Sequence, residues 1–316
     1  MGMAEPRAAT NLPWAGQFRL NEPMRKHTSW RVGGSAARAY FPSSLQDLAA
    51  FLRSIPLAEP VFVVGLGSNL LVRDGGVRGT VIFTHGALKQ MHMVKSADGA
   101  VLVYAEAGVA SPKVARFAAT NALRGAEFFA GIPGTVGGAL AMNAGCYGSE
   151  AWDVVKLVLT VGRHGQVNRR DPQEYEIGYR HVALRPERGT GTHADDEYFV
   201  AAWFRFATGD AKLARSTITE LLQRRIATQP LQQPNAGSVF RNPPDDFAAR
   251  LIEFCGLKGF VIGGAMISSK HANFIINTGT ATAADIEALI EHTQQTVLRR
   301  CGVALEREVR IIGEKA

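Results

Sequence analysis

Gly131-Ile132-Pro133-Gly134-Thr135-Val136-Gly137-Gly138-Ala139, followed by Met142-Asn143-Ala144-Gly145, limits what kind of fold this chain can adopt. Five glycines between residues 131 and 145 cost backbone entropy on folding unless the backbone itself must approach something closely. The Lys-Ser/Thr pair of a phosphate-gripping P-loop is missing. Small residues throughout suit a flat, extended ligand laid against backbone amides; tight packing between two domains is the alternative.

Upstream, Gly65-Leu66-Gly67-Ser68-Asn69 directly follows the apolar run Val61–Val64. Successive amides in such a loop can form an anion-binding nest. A dinucleotide fingerprint needs a third glycine where Leu70 stands, and Leu70-Leu71-Val72 reads as strand rather than helix, so a simple Rossmann unit is excluded. A plain tight turn is the alternative for this loop alone. A third glycine-containing loop, Thr28–Ala36, lies nearer the N-terminus.

Around these loops the pattern alternates. Ser43–Ile55 is amphipathic, with Leu45, Leu48, Phe51 and Leu52 on one face. Val61–Val64, Thr80–Phe83 and Val101–Tyr104 read as strands, and Pro112–Leu123 as a helix with proline in its first turn. Val154–Val167 reads as strand, turn, strand about His164-Gly165, and Glu197–Ala207 as a further strand, with a polar loop at Gly189–Glu197. The last third is more helical: Ser216–Arg225, Asp246–Phe254, and a stripe of Ile286, Leu289, Ile290, Thr293 and Val297 opened by a Thr282…Asp285 capping box. Phe274–Ile276 and Glu308–Ile312 read as strands. The expected class is α+β.

At 316 residues with 46% hydrophobic and 20% charged residues, the chain is long enough for two or three domains. No run of about 18 apolar residues suggests a membrane span, and Met1–Gly16 lacks the order of a secretory signal and is expected as a loose leader. Cys146, Cys255 and Cys301 are odd in number and far apart, which argues against a disulfide framework or a zinc site and fits a cytoplasmic location with no metal. The net charge of +7 permits anionic partners, but the Lys and Arg residues are scattered rather than clustered.

Taken in order, these motifs resemble the UDP-N-acetylenolpyruvoylglucosamine reductase family. The resemblance is carried by Gly33-Gly34, Gly65–Val72 with Asp74, Gly131–Gly138, Asn143-Ala144-Gly145, Tyr147-Gly148, Asn235–Pro243, Gly256–Gly259, Gly263-Gly264-Ala265 and Leu305…Glu308-Val309-Arg310. It covers about Asn21 to Gly313. The short linker from Arg180 to Ser238 places the chain with the family's shorter subclass. Two departures stand out: Val182 where a serine is usual, and Cys146 where alanine is common.

The resemblance implies a two-part vanillyl-alcohol-oxidase-like (PCMH-type) FAD-binding domain followed by a smaller α+β substrate-binding domain. The implied division is a leader at 1–20, FAD-binding subdomains at 21–87 and 88–210, and a substrate-binding domain at 211–316. It further implies bound FAD, NADPH as co-substrate, and UDP-N-acetylglucosamine enolpyruvate reduced to UDP-N-acetylmuramate in peptidoglycan precursor synthesis. No nucleic acid, membrane or obligatory protein partner is implied.

The cofactor would be held by Gly65, Gly67, Ser68, Asn69, Gly131, Ile132, Pro133, Gly134, Thr135, Gly137, Gly138 and Asn143. Arg180 would bind the enolpyruvyl carboxylate and favour the enolate, since a guanidinium forks onto a carboxylate; otherwise it is a strand-end arginine. Ser238, in Asn-Ala-Gly-Ser, would donate the proton to carbon, a role in which a hydroxyl needs a supporting neighbour; otherwise it is a turn serine. Glu308 would polarise or protonate the enol beside Arg180; otherwise it is a glutamate on a solvated strand face. Tyr179, Arg225, Asn242, Lys258 and His271 are expected at the UDP-sugar. Two other readings stand beside this one. An oxidase of the same flavin fold would lack a use for Asn235–Pro243 and Glu308, and a basic nucleic-acid binder has only the net charge in its favour.

Overall fold

The computed structural model describes residues 14–96, 99–185 and 197–316. Most of the loop expected at Gly189–Glu197, and residues 1–13 of the expected leader, lie outside them. The fold takes up the chain earlier than the leader reading allowed. Trp14 packs its ring 5.4 Å from both Tyr40 and Phe51, and the first strand, Gln17–Pro23, begins before residue 21.

Three sheets organise the molecule. The first runs Gln17–Pro23, Ser35–Phe41, Val77–Phe83, Val61–Val64; its first pair is antiparallel and the other two are parallel. Helix α1 (Leu45–Ser54) carries buried Leu48, Phe51 and Leu52 toward this sheet, with Ser44 capping its N-terminus. The second sheet is antiparallel throughout, in the order Val167–Arg170, Val155–Gly162, Glu197–Arg205, Val101–Glu106, Met91–Lys95. Helices α2 (Ser111–Thr120), α3 (Val136–Ala141) and α4 (Ala211–Thr228) belong to it.

The division drawn at residue 211 moves. Ala214 and Ile218, the buried residues of α4, sit in the same apolar core as α2, α3 and the second sheet. By packing, α4 completes the second unit, and the third begins after Thr228.

The third unit has a three-stranded sheet, Val261–Ile262, Ala265–Ile267, Ile275–Asn277, covered by α5 (Ala248–Phe254) and α6 (Ala283–Cys301). The α6 stripe read from the sequence is buried as expected, and the Thr282–Asp285 capping box is formed.

The third unit is sewn to the first. Trp30 is fully buried in the third unit's core and donates its indole N–H to the Ile275 carbonyl (2.8 Å). The Asp74 carboxylate accepts the first amides of α6, from Ala283 (3.0 Å) and Ala284 (2.9 Å). The final strand, Arg310–Ile312, pairs in parallel with Leu70–Val72 of the first unit. It starts two residues later than the sequence suggested, so Glu308 lies in the approach to the strand rather than on it.

Candidate active site

The two glycine-rich loops meet. A side chain at Gly65 would overlap the Thr135 hydroxyl, and one at Gly134 would crowd the Ser68 hydroxyl. Gly67 holds φ +62° with its Cα hard against the His27 carbonyl, a position that only glycine fills without strain. Its own carbonyl accepts the Ser29 amide at 3.1 Å, which brings in the third loop. Thr135 is 1% exposed, and its hydroxyl is buried without a partner. A buried orphan hydroxyl between two glycine-rich turns is a polar group awaiting one. These residues fit a flat, polar, anionic ligand such as FAD.

Not every expected cofactor contact has that form. The Gly137 amide donates to the Ala107 carbonyl (2.9 Å), and its Cα packs against Ala107, so this glycine serves helix–sheet approach. Ile132 is buried in the second unit's core, and Pro133 and Gly138 are exposed at the surface of the loop.

Asn143 anchors the segment that follows these loops. It is 2% exposed, and both polar atoms of its side chain have partners within the protein. Nδ2 donates to Glu150 Oε2 (2.6 Å) and to the Gly178 carbonyl (3.1 Å), while Oδ1 accepts the Trp152 amide (3.2 Å). Its backbone carbonyl accepts from Arg180 Nη1 at 3.2 Å. Asn143 is thus the post to which Arg180 is tied.

Arg180 is not at a strand end. Tyr175–Gly178 and His181–Leu184 form an antiparallel hairpin, and Tyr179-Arg180 is its two-residue tip. Arg180 holds φ +54°, a left-handed conformation uncommon outside Gly and Asn. Several bonds hold it there. Nε donates to Glu308 Oε1 at 2.8 Å, Nη2 donates to the Gly145 carbonyl at 3.3 Å, and Glu150 Oε1 lies 3.8 Å from Nη1. The Arg180 carbonyl accepts from Arg241 Nη2 at 3.2 Å. Strain held by surrounding contacts often marks a functional position.

Glu308 and Arg180 each keep 15% of the side chain exposed. Burial pushes the Glu308 carboxyl above its ordinary value, opposed by the Arg180 guanidinium and, less, by Arg241. The Glu308 backbone is fixed on both sides: its amide donates to the Val239 carbonyl (2.8 Å), and its carbonyl accepts from Asn69 Nδ2 (3.1 Å). Asn69 therefore couples the Gly65–Asn69 loop to Glu308. Ser238 stands one residue before Val239, between Gly237 in the left-handed region (φ +76°) and the bridge that pairs Phe240 with Arg307. Arg180 and Glu308, far apart in sequence, are brought into contact by these links, and the Ser238 backbone runs one residue from the Val239 carbonyl that holds Glu308.

Of the residues expected at the UDP-sugar, Tyr179 is 47% exposed, with the Arg180 guanidinium 4.9 Å from its ring centre. Arg225, on α4, bonds Gln229 (2.8 Å); burial lowers its pKa, with Cys146 and then Tyr147 opposing. Lys258 pairs with Glu253 (2.7 Å), and the His271 imidazole is held toward its neutral form by burial and by Lys258. Among the described residues, no hydrogen bond or ion pair joins Lys258 or His271 to the Arg180 corner. The Asn242 side-chain oxygen accepts the Ala248 amide (3.1 Å) at the start of α5, which accounts for this asparagine structurally.

The sequence reading missed Arg241 and Glu150. Arg241 lies in the Asn235–Pro243 motif, and its Nε is buried without a partner; a cation inside a quoted motif was the available signal. Glu150 carried none, since only the fold brings it to Asn143.

Comparison with known proteins agrees with this geometry. Residues 36–169 match the model of an FAD binding domain, and residues 229–312 match that of the UDP-N-acetylenolpyruvoylglucosamine reductase C-terminal domain. The UDP-N-acetylenolpyruvoylglucosamine reductase of Nitrosospira multiformis is 59% identical over 313 residues, covering 95% of this chain and 90% of the relative. That of Methylococcus capsulatus is 55% identical, with 99% of each chain covered. The chain belongs to the UDP-N-acetylenolpyruvoylglucosamine reductase family. The crystal structure of the Thermus caldophilus UDP-N-acetylenolpyruvylglucosamine reductase, 30% identical, matches this fold with a TM-score of 0.76 over 94% of this chain and 98% of the other.

Membership makes the protein an FAD-dependent oxidoreductase of peptidoglycan synthesis with the two-part FAD-binding fold, acting on UDP-N-acetylenolpyruvoylglucosamine. The second family match begins at residue 229, where α4 has just ended. No described helix is long and apolar enough to cross a membrane.

Proposed function

We propose that this chain reduces the enolpyruvyl double bond of UDP-N-acetylglucosamine enolpyruvate to give UDP-N-acetylmuramate, with NADPH as electron source and Arg180, Ser238 and Glu308 as its catalytic residues. The observation that carries the reading is the 2.8 Å Arg180–Glu308 contact beside two amide-lined glycine loops. When bound, FAD supplies the hydride.

The remaining work belongs to side chains. Arg180, held at a hairpin tip, presents a fixed positive charge where negative charge develops on the enolpyruvyl carboxylate and enol. Glu308, with its carboxyl raised by burial, can hold a proton against the enol oxygen. Ser238 delivers the proton to carbon, a role in which the alkoxide left behind needs a supporting neighbour. Tyr179 and Arg225 flank the sugar and diphosphate; Lys258 and His271 bind farther along the nucleotide. Gly65, Gly67, Ser68, Asn69, Gly134 and Thr135 cradle the cofactor. The domain division that packing favours is 14–87, 88–228 and 229–316. We place the activity in the cytoplasm, in keeping with three unpaired cysteines.

Ser238→Ala separates the roles. NADPH should still bleach the flavin at close to the normal rate, while the return of colour on adding the enolpyruvyl sugar slows by about 10²–10⁴-fold. Both steps surviving unchanged in stopped-flow absorbance would remove Ser238 from the mechanism.

A further inference from the structure

Away from the active site, the two thiols of the third unit touch. Cys255 caps the C-terminus of α5 and Cys301 is the last residue of α6, and their sulfurs lie 3.6 Å apart although the residues are 46 positions apart in sequence. The helix ends are also joined by Arg300, whose Nη1 donates to the Cys255 carbonyl at 2.9 Å. The two sulfurs are unequal. Cys255 is 4% exposed, whereas Cys301 is half-buried and open to solvent. A partly exposed sulfur backed by a second, buried sulfur within reach is the arrangement of an attacking and a resolving thiol.

We propose that Cys255 and Cys301 form an oxidisable dithiol that closes to an intrachain disulfide when the protein meets a hydroperoxide such as hydrogen peroxide. In the first step the Cys301 thiolate attacks the peroxide; an S–O bond forms, the O–O bond breaks, and one water leaves. In the second, the Cys255 sulfur attacks Cys301 Sγ; the S–S bond forms, the S–O bond breaks, and a second water leaves with the thiol protons. Two electrons pass from two thiols to one peroxide. The small movement needed, from contact to bond, lies at helix ends rather than inside a helix. The result is a staple across the base of the third unit, three residues from Lys258, that constrains the unfolded chain over a long loop.

The test uses the full-length, FAD-loaded protein. It is exposed to hydrogen peroxide, quenched by alkylation under denaturing conditions, digested, and read by mass spectrometry. The expected result is one cross-linked peptide pair containing Cys255 and Cys301, reversed by dithiothreitol, with Cys146 still alkylated. Oxidised protein should melt higher than reduced protein by roughly 5 °C, and this gain should vanish in C255S and C301S. In C255S the unresolved Cys301 sulfenic acid should be trapped by dimedone. The proposal is overturned if all three thiols stay alkylatable, if Cys146 takes part in the link, or if Cys301 runs on to sulfinic acid in the unsubstituted protein without pairing. Detection of the link in the unsubstituted chain requires no variant, so poor folding of a serine variant leaves the central result readable.

Discussion

From Gly65 to Asn69 and from Gly131 to Gly138 the chain carries no charged side chain, whereas the corner beside these loops gathers Arg180, Glu308, Arg241 and Glu150. The first region works with backbone: small residues, close approaches and one orphan hydroxyl. The second works with side chains delivered by four separate stretches of sequence, each tied down by a hydrogen bond from somewhere else. A cradle built from amides is set by local chain geometry and has no group that titrates near neutrality. A corner built from charges depends on long-range packing and is sensitive to every anchor. Holding the cofactor and handling the substrate should therefore fail separately.

The largest effect should come from Arg180→Ala. Return of flavin colour on adding the enolpyruvyl sugar should slow by about 10³-fold, while FAD content, measured by absorbance, stays near that of the parent. Loss of FAD in this variant would show that cradle and corner are not separable. Asn143→Ala comes next and tests the anchor rather than the charge. It removes the partners of Glu150 and the Gly178 carbonyl and frees the loop that holds Arg180, so kcat should fall about 10–100-fold with a smaller change in KM. Stability to urea should drop by about 2 kcal/mol. An unchanged kcat would mean that Arg180 keeps its position without this post.

Asp74→Ala probes the seam between the first and third units. Without the carboxylate that accepts the Ala283 and Ala284 amides, denaturant stability should fall by about 1 kcal/mol, with both half-reactions unaltered. The smallest effect concerns Glu308 and pH. Its folded-state pKa is raised, so between the ordinary carboxylate value and the raised one the folded protein binds more protons than the unfolded chain. Stability from this group is complete below the ordinary value and is lost as pH rises through the raised one. Glu308→Gln should flatten that decline by about 2 °C in Tm across the window; a steeper decline in the variant would contradict the sign.

What was legible in the sequence follows the same division. Helices α1 and α6 announced themselves because Leu48, Phe51 and Leu52, and then Ile286, Leu289, Ile290 and Val297, recur at the helical period and bury one face. The glycine loops were legible because their cost is local. Helix α4 was recognised, but only Ala214 and Ile218 are buried along its length, so its pattern does not say which unit it serves and the boundary was drawn too early. The run Glu308–Ile312 looked like one strand because Val309 extends the apolar pattern ahead of Arg310, where the register with Leu70 begins. Asn143 was placed at the cofactor by the family resemblance of Asn143-Ala144-Gly145; its partners Glu150, Trp152 and Gly178 are contacts that no local pattern encodes.

The parallel pairing of Arg310–Ile312 with Leu70–Val72 gives the molecule an order of assembly. Leu70–Val72 completes its ladder only with a segment far along the chain, and Asn69 finds the Glu308 carbonyl in that same event. A folding chain thus sets Glu308 and braces the loop from Gly65 to Asn69 in one step. Severing the chain after Arg307 would cost both Glu308 and the edge that braces the loop from Gly65 to Asn69.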